Sequence, residues 1–173
     1  MAPTSSSASL ANASYAQTLL THAAQLYDFA LNASGGQRTY QTSVPEVAQT
    51  YPSATYGDDL AIAALFLSLT NASALTNTSI AESTIPALSP VALYSQAQAF
   101  WSQFTLGGKD DVFNWDDKTP ALPVLFTQVA LTRPEVDIGH NVSAWKVEAE
   151  RYFDRILNGK GRGSLTKGGL PLP

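Results

Sequence analysis

No cysteine occurs in the sequence, which excludes disulfide staples and thiolate chemistry. Histidine is almost as scarce. His22 falls within a helical stretch and His140 in a loop, with no His-x-x-x-His spacing, so a metal site has little support and both read as structural or surface residues. Charged residues make up 14% of the chain, well below the usual quarter, and the net charge of −4 leaves no basic surface to track a phosphate backbone. Nucleic acid is therefore not an expected partner. No apolar run reaches membrane-spanning length, so no membrane partner is expected either. Met1 is followed by a Pro/Ser/Thr/Ala stretch with neither a basic region nor an apolar core, so residues 1–13 read as a disordered lead without a signal peptide. No phosphate-binding glycine loop, nucleophile elbow or dinucleotide fingerprint is present, and no cofactor is implied.

What the chain does have is an ordinary apolar fraction of 45% over 173 residues, enough for one soluble domain with a real core. Its polarity comes from Ser, Thr, Asn and Gln, which suits neutral, hydroxyl-rich ligands. Five N-x-[ST] sequons, at Asn12, Asn32, Asn71, Asn77 and Asn141, are glycan-acceptor candidates if the chain is exported, although such motifs also arise by chance in an Asn/Ser/Thr-rich chain.

Hydrophobic spacing predicts an all-α fold of five helices, with no alternation that reads as a strand. The first runs from Ser14 to Ala30, with Tyr15, Leu19, Ala23, Leu26, Tyr27 and Ala30 as its stripe. A long loop to Gly57 follows, carrying Tyr40, Tyr51 and Tyr56, and long ordered loops tend to carry function. The second helix begins at Asp58 or Asp59, runs to Thr70 and is apolar nearly all round, which marks it as buried on most faces. A polar connection from Asn71 to Ser89, with one short turn near Ile80 to Glu82, leads to a third helix from Pro90 to Phe104. The fourth starts within Asp116 to Pro120, with Pro120 and Pro123 confined to its first turns, and ends near Leu131. The fifth runs from Val142 or Ser143 to Leu157. Residues 158–173 form a Gly/Pro-rich irregular tail.

Successive antiparallel helices would put the starts of helices two and four at one end of the molecule. That brings Tyr51 to Asp59 beside Phe113-Asn114-Trp115-Asp116-Asp117-Lys118. Each acidic pair, Asp58/Asp59 and Asp116/Asp117, can cap its helix and favour the dipole, at about 0.5–2 kcal/mol per site. Alternatively, one Asp of each pair faces a cleft and holds a hydroxylated ligand, or the two pairs supply an acid and a base across a glycosidic bond. Trp115, Tyr51 and Tyr56 are candidate stacking platforms or core-edge residues with a polar tip in water. Trp101 and Trp145 lie within helical stripes and belong to the core.

Taken together, LLTHAAQLYDFA at 19–30, Tyr51 with YGDDLAIAALFL at 56–67, FNWDDKTPALPVLF at 113–126 and GGL at 168–170 resemble glycoside hydrolase family nine, the cellulases with an (α/α)6 barrel. The resemblance implies a partial six-hairpin toroid and a secreted, inverting endo-β-1,4-glucanase acting on cellulose or β-glucan. It places Tyr51, Tyr56, Asp58, Trp115 and Asp116 along the glucan cleft. It also implies that the catalytic base, in an Asp-Ala-Gly-Asp motif, and the acid Glu both lie outside these residues, so no catalytic residue is assigned and the chain alone is expected to be inactive. The alternative is a non-catalytic carbohydrate-binding helical module or a structural relic. Three positions depart from the family pattern: an aromatic is missing between Tyr51 and Tyr56, Asp111 replaces another, and Ala121 replaces Gly. Five helices cannot close a six-hairpin toroid, so helices two and four should leave apolar surface exposed.

Overall fold

A computed structural model describes residues 13–70, 89–109, 112–139, 141–158 and 167. The described residues contain five α-helices and no strand: α1 (Ala13–Asn32), α2 (Gly57–Leu69), α3 (Pro90–Gln103), α4 (Leu122–Thr132) and α5 (Val142–Leu157). This is the all-α architecture expected of part of an (α/α)6 barrel. The lead before residue 13, most of the tail after residue 158, the turn near Ile80 to Glu82, Asp111 and His140 lie outside the described residues.

Local chemistry explains where the helices begin. Ser89 caps α3 by accepting a hydrogen bond from the Ala92 N–H at 3.1 Å, and Pro90 occupies the first turn, where its missing N–H costs nothing. Ahead of α4, a 3₁₀ turn over Thr119–Ala121 takes up Pro120, and Pro123 falls in the first turn of the α-helix itself. The loop between α1 and α2 is more regular than its sequence suggests, with 3₁₀ segments at Tyr40–Thr42 and Pro45–Gln49. α3 ends where Thr105 adopts a left-handed φ of 49° and the Leu106 N–H returns to the Trp101 carbonyl at 3.0 Å. That reversal turns Leu106 inward, where it is fully buried.

α2 is the centre of the core, as its all-round apolar pattern predicts. Leu60, Ala61, Ala64, Leu65 and Leu67 are all buried, and α1, α3 and α4 each pack on it. Gly57 lets the start of α2 come against α3, since a Cβ there would stand 2.2 Å from the Phe104 ring. On the far side of α4, Phe126 stacks on Trp145 at 4.1 Å, and Trp101 meets Trp145 edge-on at 5.3 Å. Both indoles thus join the core cluster, each half-buried.

The outer helices differ from their predicted stripes. In α1 only Ala24 and Tyr27 are buried, Tyr27 reaching across to donate a hydrogen bond to the Gln96 side chain at 2.6 Å. Tyr15, Leu19, Leu26 (68% exposed) and Phe29 stay open to solvent, because α2 gives most of its surface to α3 and α4. α5 likewise exposes Val147, Phe153 and Leu157. Phe66 on α2 and Val124 and Leu131 on α4 are exposed as expected, but among the described residues α1 and α5 expose more large apolar side chains than α2 and α4 do.

Candidate functional site

The starts of α2 and α4 do emerge side by side. The segment from Phe113 to Lys118 is a compact turn organised by one amide. Asn114 accepts hydrogen bonds from the N–H groups of Asp116 (2.8 Å) and Asp117 (3.0 Å), and its own side-chain N–H donates to the Val112 carbonyl at 2.8 Å. With its polar groups turned inward, the turn leaves Phe113 and Trp115 outside.

Asp116 fastens this turn to the loop before α2. Its Oδ1 accepts from the Ser53 hydroxyl at 2.8 Å, and its carboxylate accepts from the Ala54 N–H at 3.1 Å. Ser53 is gripped in turn by Gln41, whose side chain donates to the Ser53 carbonyl at 2.6 Å and accepts from its N–H at 3.2 Å. The clamp sets Tyr51 edge-on to Trp115, with ring centroids 5.5 Å apart and planes at 90°. These rings are 63% and 60% exposed, so they form an aromatic ledge facing solvent rather than a core edge. Tyr56 lies further in, half-buried and edge-on to Phe104 at 5.2 Å. Together with Tyr40, Asp59 and Phe66, it lines a mainly apolar groove of about 740 Å³ between α1 and α2.

The four aspartates have four different surroundings. Asp58, expected along the cleft, is 0% exposed; its Oδ2 accepts from the Lys118 N–H at 2.8 Å, locking the turn onto α2. Its carboxylate is closed off from solvent, and its helix has no side-chain N-cap. Asp59 is half exposed and pairs with the Lys118 ammonium at 3.4 Å. Partial desolvation, then the neighbouring Asp58 charge, push the Asp59 carboxyl above the usual carboxylate range, with Lys118 opposing them. Asp117 does what a cap does, accepting from the Thr119 N–H at 2.9 Å. Lys118 also donates to the carbonyls of Trp115 and Asp116. An acid/base pair drawn from these residues would have to exclude Asp58 on burial alone.

Among the described residues no cluster of three or more His, Cys, Asp or Glu side chains is placed to hold a metal ion. Of the sequon asparagines, Asn32 ends α1, exposed, with its amide donating to Asp28 at 2.9 Å, and Asn141 precedes α5, also exposed. Asn12, Asn71 and Asn77 lie outside the described residues. The sequence reading passed over Asn114, Ser53 and Gln41. For Asn114 there was a signal, an Asx-turn former two residues ahead of an acidic pair. Ser53 and Gln41 act only through contacts distant in sequence.

The chain is 27% identical to Endoglucanase 2 of Arabidopsis thaliana over 158 residues, 90% of this chain and 27% of that protein. It is 26% identical to Endoglucanase 10 of the same plant, again over 90% of this chain and 26% of the relative. It therefore spans about a quarter of the length of these relatives. No solved structure gives a comparable match. The profile of glycosyl hydrolase family 9 matches residues 1–172, and the chain belongs to that family.

Proposed function

We propose that these residues form one wall of a β-1,4-glucan cleft in an inverting endoglucanase whose catalytic base and acid lie outside them. The observation that carries the reading is the exposed Tyr51–Trp115 ledge, held by the Asp116 clamp in a chain of this family. A pyranose ring offers an apolar C–H face to such rings and hydroxyls around its rim, so it uses aromatic stacking and neutral hydrogen bonds together. Tyr51 and Trp115 are the stacking platforms. Tyr56 lines the inner side, Asp116 sets the ledge and takes sugar hydroxyls on its remaining lone pairs, and Asp58 acts from below by fixing Lys118.

The structural commitments of Asp58, Asp116 and Asp117 favour carbohydrate binding without hydrolysis by this chain alone. An extracellular setting goes with this reading, with Asn32 open to glycan attachment. The test is a titration with cellotetraose followed by tryptophan emission. A saturable change at millimolar ligand that loses its Trp115 component in Trp115→Ala and shrinks in Tyr51→Ala supports the cleft. No change sinks it, and endoglucanase activity in the purified chain would overturn the placement of catalysis elsewhere.

A further inference from the structure

A second cavity lies apart from the ledge, between α3 and α5. Its volume is about 540 Å³, within the roughly 300–1,000 Å³ typical of small-molecule sites. Gln98, Trp101 and Ser102 of α3 form one wall; Asn141, Trp145 and Glu148 form the other. The bare backbone of Gly107 and Gly108 closes one end. A Cβ at Gly107 would come within 3.1 Å of the Trp101 indole, while at Gly108, with φ +70°, there is open space beside the chain.

The charge in this groove is already answered. Glu148 accepts from Arg151 Nε at 2.8 Å, from Arg151 Nη2 at 2.9 Å and from the Gly108 N–H at 2.9 Å. A carboxylate so engaged offers little to a cation, and among the described residues no ammonium or guanidinium lines the walls to draw a phosphate or carboxylate. What remains is a pair of half-buried indoles with two amides and a hydroxyl around them. Phe126 covers one face of Trp145, and the indole surface left uncovered offers apolar contact for C–H groups beside neutral donors and acceptors for hydroxyls.

We propose that the α3/α5 groove is a separate binding site for a short neutral oligosaccharide. It stands independently of the ledge, sharing none of its residues. The three tryptophans of the chain make the two sites separable, since Trp115 reports the ledge and Trp101 and Trp145 the groove.

The experiment is an indole N–H NMR titration of the uniformly ¹⁵N-labelled chain with cellotriose, in the wild type, Ala144→Phe and Tyr51→Ala. Ala144 is exposed on the groove wall, so a phenyl ring there fills the space without touching the core. Saturable shifts of the Trp101 and Trp145 signals at millimolar cellotriose are expected, lost in Ala144→Phe and retained in Tyr51→Ala. Gln98→Ala, which keeps the groove open, should weaken the groove affinity about three- to tenfold through one lost hydrogen bond. Absence of saturable shifts at Trp101 and Trp145, their survival in Ala144→Phe, or equal shifts with glycerol would overturn the site. The Trp115 signal answers the ledge reading separately.

Discussion

The two acidic pairs look interchangeable in sequence, each an Asp-Asp at the approach to an apolar helix, yet no two of the four carboxylates have the same task. Asp58 is sealed inside and fixes a backbone N–H 60 positions away, whereas Asp59 beside it sits half in water against an ammonium. Asp116 ties two loops together, and Asp117 accepts from the Thr119 N–H two residues on, where the 3₁₀ turn begins. Position relative to the packed helices, not residue type, sorts them. A carboxylate bonded to buried backbone is expensive to remove, while one that water can replace is not.

Four substitutions rank that difference. Asp58→Ala should cost the most, about 3 kcal/mol or more in urea unfolding, because it strands the Lys118 N–H at a buried joint; Asp58→Asn, which keeps an acceptor, should cost clearly less. If Asp58→Ala behaved like a surface change, the contrast would collapse. Asp116→Ala should follow at about 1–2 kcal/mol, since it frees both Ser53 and Ala54, and it should also weaken cellotetraose binding by loosening Tyr51 against Trp115. Asp117→Ala should lose about 1 kcal/mol, the ordinary worth of a cap, with ligand affinity unchanged.

Asp59→Asn should change stability least at neutral pH but should alter its pH dependence. A carboxyl held above its unfolded value favours the folded state when protonated. That contribution is complete below the unfolded value and fades as pH rises through the raised one. The stability difference, variant minus wild type, should therefore move in the variant's favour as pH climbs through the mildly acidic range. A difference independent of pH would contradict the desolvation of Asp59.

Much of this was readable beforehand. The five helices fall within about two residues of their expected limits, apart from the start of α4, where Asp116 to Lys118 form the turn and the α-helix begins only at Leu122. Periodicity and proline placement locate helices well because they are local. α2 was recognisable as central because it has no polar face. The α1 stripe misled, since Leu19 and Leu26 have the right spacing yet stay exposed, with an open apolar groove left between α1 and α2. Side-chain placements were legible where the local pattern sets them, as for the loop aromatics Tyr51 and Trp115, both exposed. They were not where the partner lay far along the chain, as for Asp58 with Lys118, Asp116 with Ser53, or Asp137, which is buried and closes the start of α5 by accepting from the N–H groups of Asn141 and Val142.

By itself the sequence determined a sparsely charged, cysteine-free, all-helical chain with Tyr51 and Trp115 brought to one end, because composition and helical period act over a few residues. Only the tertiary structure decided which aspartate is buried, which holds the ledge and which indoles border a groove. Those outcomes depend on which surfaces meet across dozens of residues, and a carboxylate's energy is set by what it meets there.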